Sequence, residues 1–84
     1  MDSVEKTLVA LIDRRAPLPD GADLETYDFI ERGHVDSISL VRFVMEVEEH
    51  FGIDLTDDDV ESPAFRRVRP LARLIQARQG TKGS

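Results

Sequence analysis

The spacing of the apolar residues constrains the fold of this chain more than any other feature. Between residues 37 and 51 they recur every three or four positions and fall on one face of a helix: Leu40, Phe43, Val44, Val47 and Phe51. The same spacing predicts a first helix over residues 2–14 and a last helix over about residues 67–79. No segment alternates with period two over a useful length. We therefore expect an all-α fold, a small four-helix bundle with three main helices and a short one.

Local signals predict where the helices begin and end. Gly52 is a natural stop for the second main helix, because glycine adopts a left-handed backbone without steric cost. Thr56, followed by three aspartates, favours the start of the short helix, which Ser62 and Pro63 interrupt. Residues 16–36 form a long loop between helices 1 and 2, with enough apolar side chains to be pinned onto the core. We expect one domain over residues 1–79 and a disordered tail over residues 80–84.

Length and composition exclude several classes of function. A chain of 84 residues forms one domain with little spare apolar area for a deep substrate cavity, which argues against pocket-type catalysis. The absence of cysteine excludes disulfides and thiolate catalysis and fits a reducing compartment. No apolar run approaches the ~20 residues of a membrane span, and the first residues lack the features of a signal peptide. We expect a soluble, cytoplasmic protein.

The charges are distributed unevenly along the chain. All 17 acidic residues lie between Asp2 and Glu61, together with five of the eleven basic ones, and the other six basic residues follow. The acidic body argues against nucleic acid as a ligand and favours partners with basic docking surfaces. The C-terminal basic residues are better explained as a solvated face that complements this body.

A second apolar line runs along the flank of the 37–51 helix and consists of Ile38, Val41 and Met45. Two interpretations remain open: a widened core face, or an exposed strip that docks partner enzymes. The acidic residues predicted to flank the strip are Glu31, Glu46 and Glu49, which would suit partners with aliphatic and basic side chains.

The pair Asp36-Ser37 stands at the predicted start of that helix, after Gly33-His34-Val35 and before Ile38. On its own the pair is explained by helix capping. The surrounding motif, however, resembles the attachment region of the acyl carrier protein superfamily, whose serine in an Asp-Ser-Leu motif receives 4′-phosphopantetheine from coenzyme A. The segment 65–75 also resembles that family where its last helix begins.

The resemblance implies a function in which residues 1–79 form a carrier domain. Ser37 would bear the covalent 4′-phosphopantetheine arm, and Asp36 would contact the metal or basic residues of the modifying enzyme. The chain would not be an enzyme; its arm would hold an acyl or aminoacyl group as a thioester. Implied partners are a phosphopantetheinyl transferase, an adenylating acyl or aminoacyl ligase or other loading enzyme, and a downstream transferase or synthase. The carrier itself would be a monomer.

Three departures from the family pattern qualify this resemblance. Two residues, His34 and Val35, separate Gly33 from Asp36 where one is common, a spacing similar to D-alanyl and other stand-alone aminoacyl carriers. Ile38 replaces the usual leucine, and Arg67 stands where a capping serine or threonine is frequent. The wider spacing favours an amino acid or small acyl group as cargo, while fatty-acid and polyketide intermediates stay open.

Other chemistries lack the required patterns. His34 and His50 have no second ligand at a local metal spacing, and Ser37 lacks a Gly-x-Ser-x-Gly elbow. The acidic stretch that includes Asp59 lacks the glycine and terminal glutamate of a calcium loop and is better read as a solvated helix start. The alternative is a non-enzymatic helical interaction module that binds a protein or nucleic acid through Ile38, Val41 and Met45 or through the C-terminal arginines.

Overall fold

The computed structural model describes residues 3–82 and contains four α-helices and one 3-10 turn. The helices are α1 (Ser3–Asp13), α2 (Ser37–Phe51), the short α3 (Asp57–Glu61) and α4 (Val68–Lys82), and the 3-10 turn spans Pro63–Arg66. Within the described residues there is no strand, although Asp28 and Arg67 form an isolated bridge. The predicted all-α bundle of three main helices and a short one is confirmed.

Phe43 of α2 lies at the centre of the core. Its ring makes edge-to-face contacts with Phe29 of the long loop, at a centroid distance of 5.7 Å, and with Phe65 of the 3-10 turn, at 6.0 Å. All three rings are fully buried. Because one ring comes from α2, one from the loop and one from the turn before α4, the core fixes α2 relative to both connections.

The ends of α2 follow from two local residues. The Asp36 side chain caps the N-terminus by accepting a hydrogen bond from the Ser39 backbone N–H. At the C-terminus Gly52 has φ +65° and donates its N–H to the Glu48 carbonyl, an ending that glycine adopts without steric cost. The predicted bounds 37–51 are therefore confirmed residue for residue.

Helix α3 begins with a reciprocal capping box. The Thr56 hydroxyl accepts from the Asp59 N–H, and the Asp59 carboxylate accepts from the Thr56 N–H. Asp59 is buried, and Arg78 of α4 donates to both of its oxygens. These hydrogen bonds, led by the one from Arg78, hold the pKa of the Asp59 carboxyl below its ordinary value. The prediction that Asp59 belongs to a solvated helix start was wrong, because its partner lies 19 residues further along the chain.

Helix α4 is longer than the sequence predicted. Pro70 lies in its first turn, where its missing N–H costs nothing, but the helix continues through Gly80 to Lys82. A single glycine therefore does not end the helix. The domain over residues 1–79 and the disordered tail after it stay predictions. Residues 83–84 of that expected tail lie outside the described part of the chain.

The long loop between α1 and α2 is held against the 3-10 turn and the start of α4. The Arg69 N–H donates to the Leu24 carbonyl, and the Phe29 N–H donates to the Arg66 carbonyl. The Asp28 carboxylate accepts from the Arg66 guanidinium at 2.7 Å and from two backbone N–H groups of its own turn. The loop is thus fixed by main-chain and charged contacts as well as by the predicted apolar ones.

Candidate functional site at the start of helix α2

Ser37 is the first residue of α2, and its side chain is exposed. The residue before it, Asp36, has extended backbone angles, with φ −87° and ψ 176°, so the chain turns sharply into the helix at this point. Asp36 Oδ1 accepts from the Ser39 N–H at 2.7 Å. The hydrogen bonds from the backbone and then the side chain of Ser39 hold the pKa of the Asp36 carboxyl below its ordinary value. An ionised cap and an exposed hydroxyl therefore stand side by side.

The three residues before Asp36 hold the chain in a fixed conformation ahead of the serine. Gly33 has φ +85°, a left-handed conformation that disfavours any side chain with a Cβ. Its N–H donates to the Ile30 carbonyl at 3.0 Å, and the His34 N–H donates to the Phe29 carbonyl at 2.9 Å. Val35 is fully buried in the core. A left-handed turn and a buried anchor thus fix the chain immediately ahead of the site.

The side chain of His34 connects the segment before Ser37 to two other segments of the chain. Its Nδ1 donates to the Ala16 carbonyl at 2.8 Å, and the Tyr27 hydroxyl lies 2.7 Å from its Nε2. The Tyr27 and His34 rings also meet edge to face, at 5.5 Å. The sequence predicted only a plain loop residue here, and no local signal identified either partner, since Ala16 lies 18 residues away.

Beyond the serine, α2 exposes a line of large apolar side chains. Ile38 is 89% exposed, Val41 67% and Met45 60%. These values exclude the interpretation that the three residues widen the core. Their arrangement leaves an apolar strip that starts beside Ser37 and runs for two turns along the helix.

The acidic residues predicted to flank this strip occupy different environments. Glu31 and Glu49 are exposed. Glu46 is half-buried and accepts from Arg15 Nη2 at 3.0 Å, while the same guanidinium lies 5.8 Å from the centroid of Phe43. The charge of Glu46 is thus already compensated within the chain, an interaction that the sequence did not indicate.

The C-terminal arginines pair with carboxylates of the acidic body. Four pairs connect the 3-10 turn and α4 to α1, the loop and α3: Arg66–Asp28, Arg69–Glu5, Arg73–Glu25 and Arg78–Asp59. Arg67 donates to the Pro63 carbonyl at 3.1 Å. The arginines through which the alternative hypothesis would bind a protein or nucleic acid therefore make contacts within the chain, as expected of a basic face that complements the acidic body.

The start of α2 fits the attachment of a phosphate-bearing arm. The hydroxyl of Ser37 is exposed, so an enzyme can reach it. The first turn of a helix carries unpaired backbone N–H groups and partial positive charge, which favour a phosphodiester at that position. The thiol that a thioester carrier needs would come from the arm, because the chain has no cysteine.

Two further features are absent from residues 3–82. No group of three or more histidine, aspartate or glutamate side chains in this range could hold a metal ion. In the same range, every helix is too short or too polar to cross a bilayer.

Comparison with known proteins places the sequence of this chain in a family. A family model described as the phosphopantetheine attachment site matches residues 6–75. The acyl carrier protein of Chlamydia trachomatis serovar D is 32% identical over 78 residues, covering 92% of this chain and 97% of that protein. The acyl carrier protein of Chlamydia muridarum has the same identity and coverage. The acyl carrier protein of Buchnera aphidicola subsp. Schizaphis graminum is 30% identical over 61 residues, covering 73% of this chain and 77% of that protein.

No solved structure matches the chain. The family model nevertheless extends from the first turn of α1 to the middle of α4, and the Chlamydia relatives match over nearly their full length. Acyl carrier proteins are not enzymes; they carry their cargo on phosphopantetheine. The chain therefore belongs to the acyl carrier protein superfamily, as a non-enzymatic carrier with phosphopantetheine as its cofactor.

Proposed function

We propose that Ser37 is the residue that bears 4′-phosphopantetheine and that the arm presents an acyl or aminoacyl thioester to partner enzymes. The observation that carries this proposal is the position of Ser37, an exposed hydroxyl at the first residue of α2. It lies inside the range matched by the phosphopantetheine family model. Ser39, two residues further, donates its backbone N–H to the cap and is half-buried.

The modification consists of one displacement at phosphorus. The Ser37 oxygen forms a bond to the phosphorus of coenzyme A that adjoins the pantetheine. The bond from that phosphorus to the bridging pyrophosphate oxygen breaks, and the adenosine bisphosphate half leaves with the electron pair. The serine proton passes to a base of the transferase. No oxidant or reductant is needed, and the carrier supplies only the nucleophilic oxygen.

Asp36 has two roles in this proposal. As the N-cap it fixes the first turn of α2, and as an ionised carboxylate it offers a contact to the metal or a basic side chain of the transferase. Its carboxylate is exposed, so one oxygen can cap while the other faces a partner. The two roles can be separated by substitution with asparagine, which caps but carries no charge.

The exposed strip of Ile38, Val41 and Met45 is proposed as the main docking surface for partner enzymes. Its apolar area begins one residue after Ser37, so an enzyme seated on it has its active site next to the arm. Glu31 and Glu49 are exposed beside it and suit basic partner residues. Glu46 stays in the proposed surface, with its charge shared with Arg15.

We propose an amino acid or small acyl group as cargo, delivered by a separate adenylating ligase and passed to a downstream transferase or synthase. The support is the two-residue spacing between Gly33 and Asp36, which resembles D-alanyl and other stand-alone aminoacyl carriers. The relatives that match are acyl carrier proteins by name. A cytoplasmic, monomeric state is part of the same proposal.

Incubation of the purified protein with coenzyme A, Mg²⁺ and a broad-specificity phosphopantetheinyl transferase tests the attachment site. Intact-mass spectrometry should show one added phosphopantetheine on the wild-type protein and on Ser39→Ala, and none on Ser37→Ala. An adduct that survives Ser37→Ala, or a wild-type protein that gains none, would overturn the proposal. Loading of the modified protein with a panel of acids by the ligase of its own pathway would then identify the cargo.

A further inference from the structure

The histidine three residues before Ser37 is bonded on both ring nitrogens. A carbonyl oxygen can only accept, so the 2.8 Å contact with the Ala16 carbonyl places a proton on His34 Nδ1. In the neutral imidazole, Nε2 then accepts from the Tyr27 hydroxyl at 2.7 Å. The ring is half-buried, which limits competition from water for these two bonds. His34 therefore has one defined orientation.

The partner of His34, in the turn that follows α1, is adjacent to a second residue that contacts the site. Ala16 holds the segment before Ser37 through His34, and its neighbour Arg15 holds the segment after Ser37 through Glu46 and the face of Phe43. Two consecutive residues just after α1 thus hold the chain in place on both sides of the serine.

The two residues between Gly33 and Asp36 have separate tasks in this arrangement. Val35 points into the core and is fully buried, while the His34 side chain turns toward Tyr27 and the Ala16 carbonyl. A connection shorter by one residue would lose one of these contacts. The wider spacing therefore has a structural consequence at the site itself, independent of any cargo.

Resting on the proposed role of Ser37, we propose that His34 is a positioning residue for its modification. By joining the Ala16 carbonyl to the Tyr27 hydroxyl, it holds the start of α2 so that the serine oxygen meets coenzyme A in the reactive orientation. Losing this orientation lowers the rate of the chemical step, because a small displacement of a reacting atom is costly. Docking does not depend on it, since the strip on α2 lies on the other side of the serine.

Single-turnover kinetics with the transferase in excess separate these two effects. The rate at saturating transferase should fall about tenfold in His34→Ala and about threefold in Tyr27→Phe, as expected when one or two hydrogen bonds no longer order the site. The half-saturating transferase concentration should stay within about twofold of wild type. His34→Asn, whose side-chain N–H can still reach the Ala16 carbonyl, should recover part of the rate.

His50→Gln is the matched control, because it replaces the other histidine, which is exposed on the last turn of α2. It should react at the wild-type rate. Thermal melts of each variant determine the folded fraction at the assay temperature, and Tyr27→Phe, which removes a single oxygen, keeps the test valid should His34→Ala unfold.

Wild-type saturating rates in both Tyr27→Phe and His34→Ala would overturn the positioning role and leave the attachment site intact. So would rate losses fully accounted for by the unfolded fraction. Failure of the wild-type protein itself to gain an adduct would overturn the proposed function and this inference together.

Discussion

Helices α4 and α2 present opposite kinds of surface. The arginines Arg69, Arg73 and Arg78 of α4 all pair with carboxylates from other parts of the chain. On α2, no ion pair within residues 3–82 involves Arg42 or Glu49, and the apolar strip beside them is exposed. These arginines of α4 form ion pairs within the fold, whereas the exposed residues on this face of α2 remain accessible to partners. Substitutions of these α4 residues should change stability, and substitutions on the exposed face of α2 should change the binding of partners.

The largest expected effect is the loss of stability in Asp59→Ala. This change removes the carboxylate that accepts from the Thr56 N–H, one half of the capping box, and leaves Arg78 without its buried partner, so the free energy of unfolding should fall by about 2 kcal/mol. Urea denaturation measures it. Asp58→Ala is the control, since that exposed neighbour should change the free energy by less than about 0.5 kcal/mol. Equal losses in both variants would contradict the assigned role of the Asp59–Arg78 pair.

The next effect concerns the strip on α2. In Val41→Ser and Met45→Ser, the transferase concentration needed for half-saturation should rise about tenfold, because an apolar contact is lost at the interface. The free energy of unfolding should change by no more than about 0.5 kcal/mol, since both side chains are exposed. Ala10→Ser, at an exposed position of α1, should change neither quantity. A wild-type affinity in both strip variants would remove the strip from the proposed docking surface.

A smaller effect separates the two roles of Asp36. Asp36→Asn keeps a capping side chain, so its melting temperature should stay near that of wild type while modification slows. Asp36→Ala removes the cap as well and should lower both the melting temperature and the modification rate. If Asp36→Asn reacts as fast as wild type, the carboxylate has only the capping role.

The smallest effect is the dependence of stability on pH. The folded-state pKa of Asp59 is lowered, so its contribution is fully present above the ordinary aspartate pKa of about 3.9 and is lost as pH falls through the lowered value. The stability difference between wild type and Asp59→Asn should therefore shrink as the pH falls from about 4 through the lowered value. A difference that is constant over this interval would contradict the lowered pKa.

The contrast between the helices also explains what the sequence could predict. The bounds of α2 were predictable because Asp36 and Gly52 form hydrogen bonds with backbone groups only three or four residues away. The sequence left two interpretations of Ile38, Val41 and Met45 open, a core face or an exposed strip, since periodicity alone does not say which side of a helix has a neighbour.

Contacts between distant residues were the part that could not be predicted. Asp59 was mistaken for a solvated residue because Arg78 comes from another helix, and the hydrogen bonds of His34 join segments 7 and 18 residues away. The extension of α4 past Gly80 shows that the low helix propensity of one glycine did not end that helix. The attachment region was identifiable from its motif, whereas the contacts that orient it required the fold.

The most direct test of the central claim is the location of the modification on the chain. After reaction with coenzyme A and the transferase, fragmentation of the peptide that contains both Ser37 and Ser39 should place phosphopantetheine on Ser37 alone. Phosphopantetheine on Ser39, on a serine elsewhere or on no residue would contradict the account.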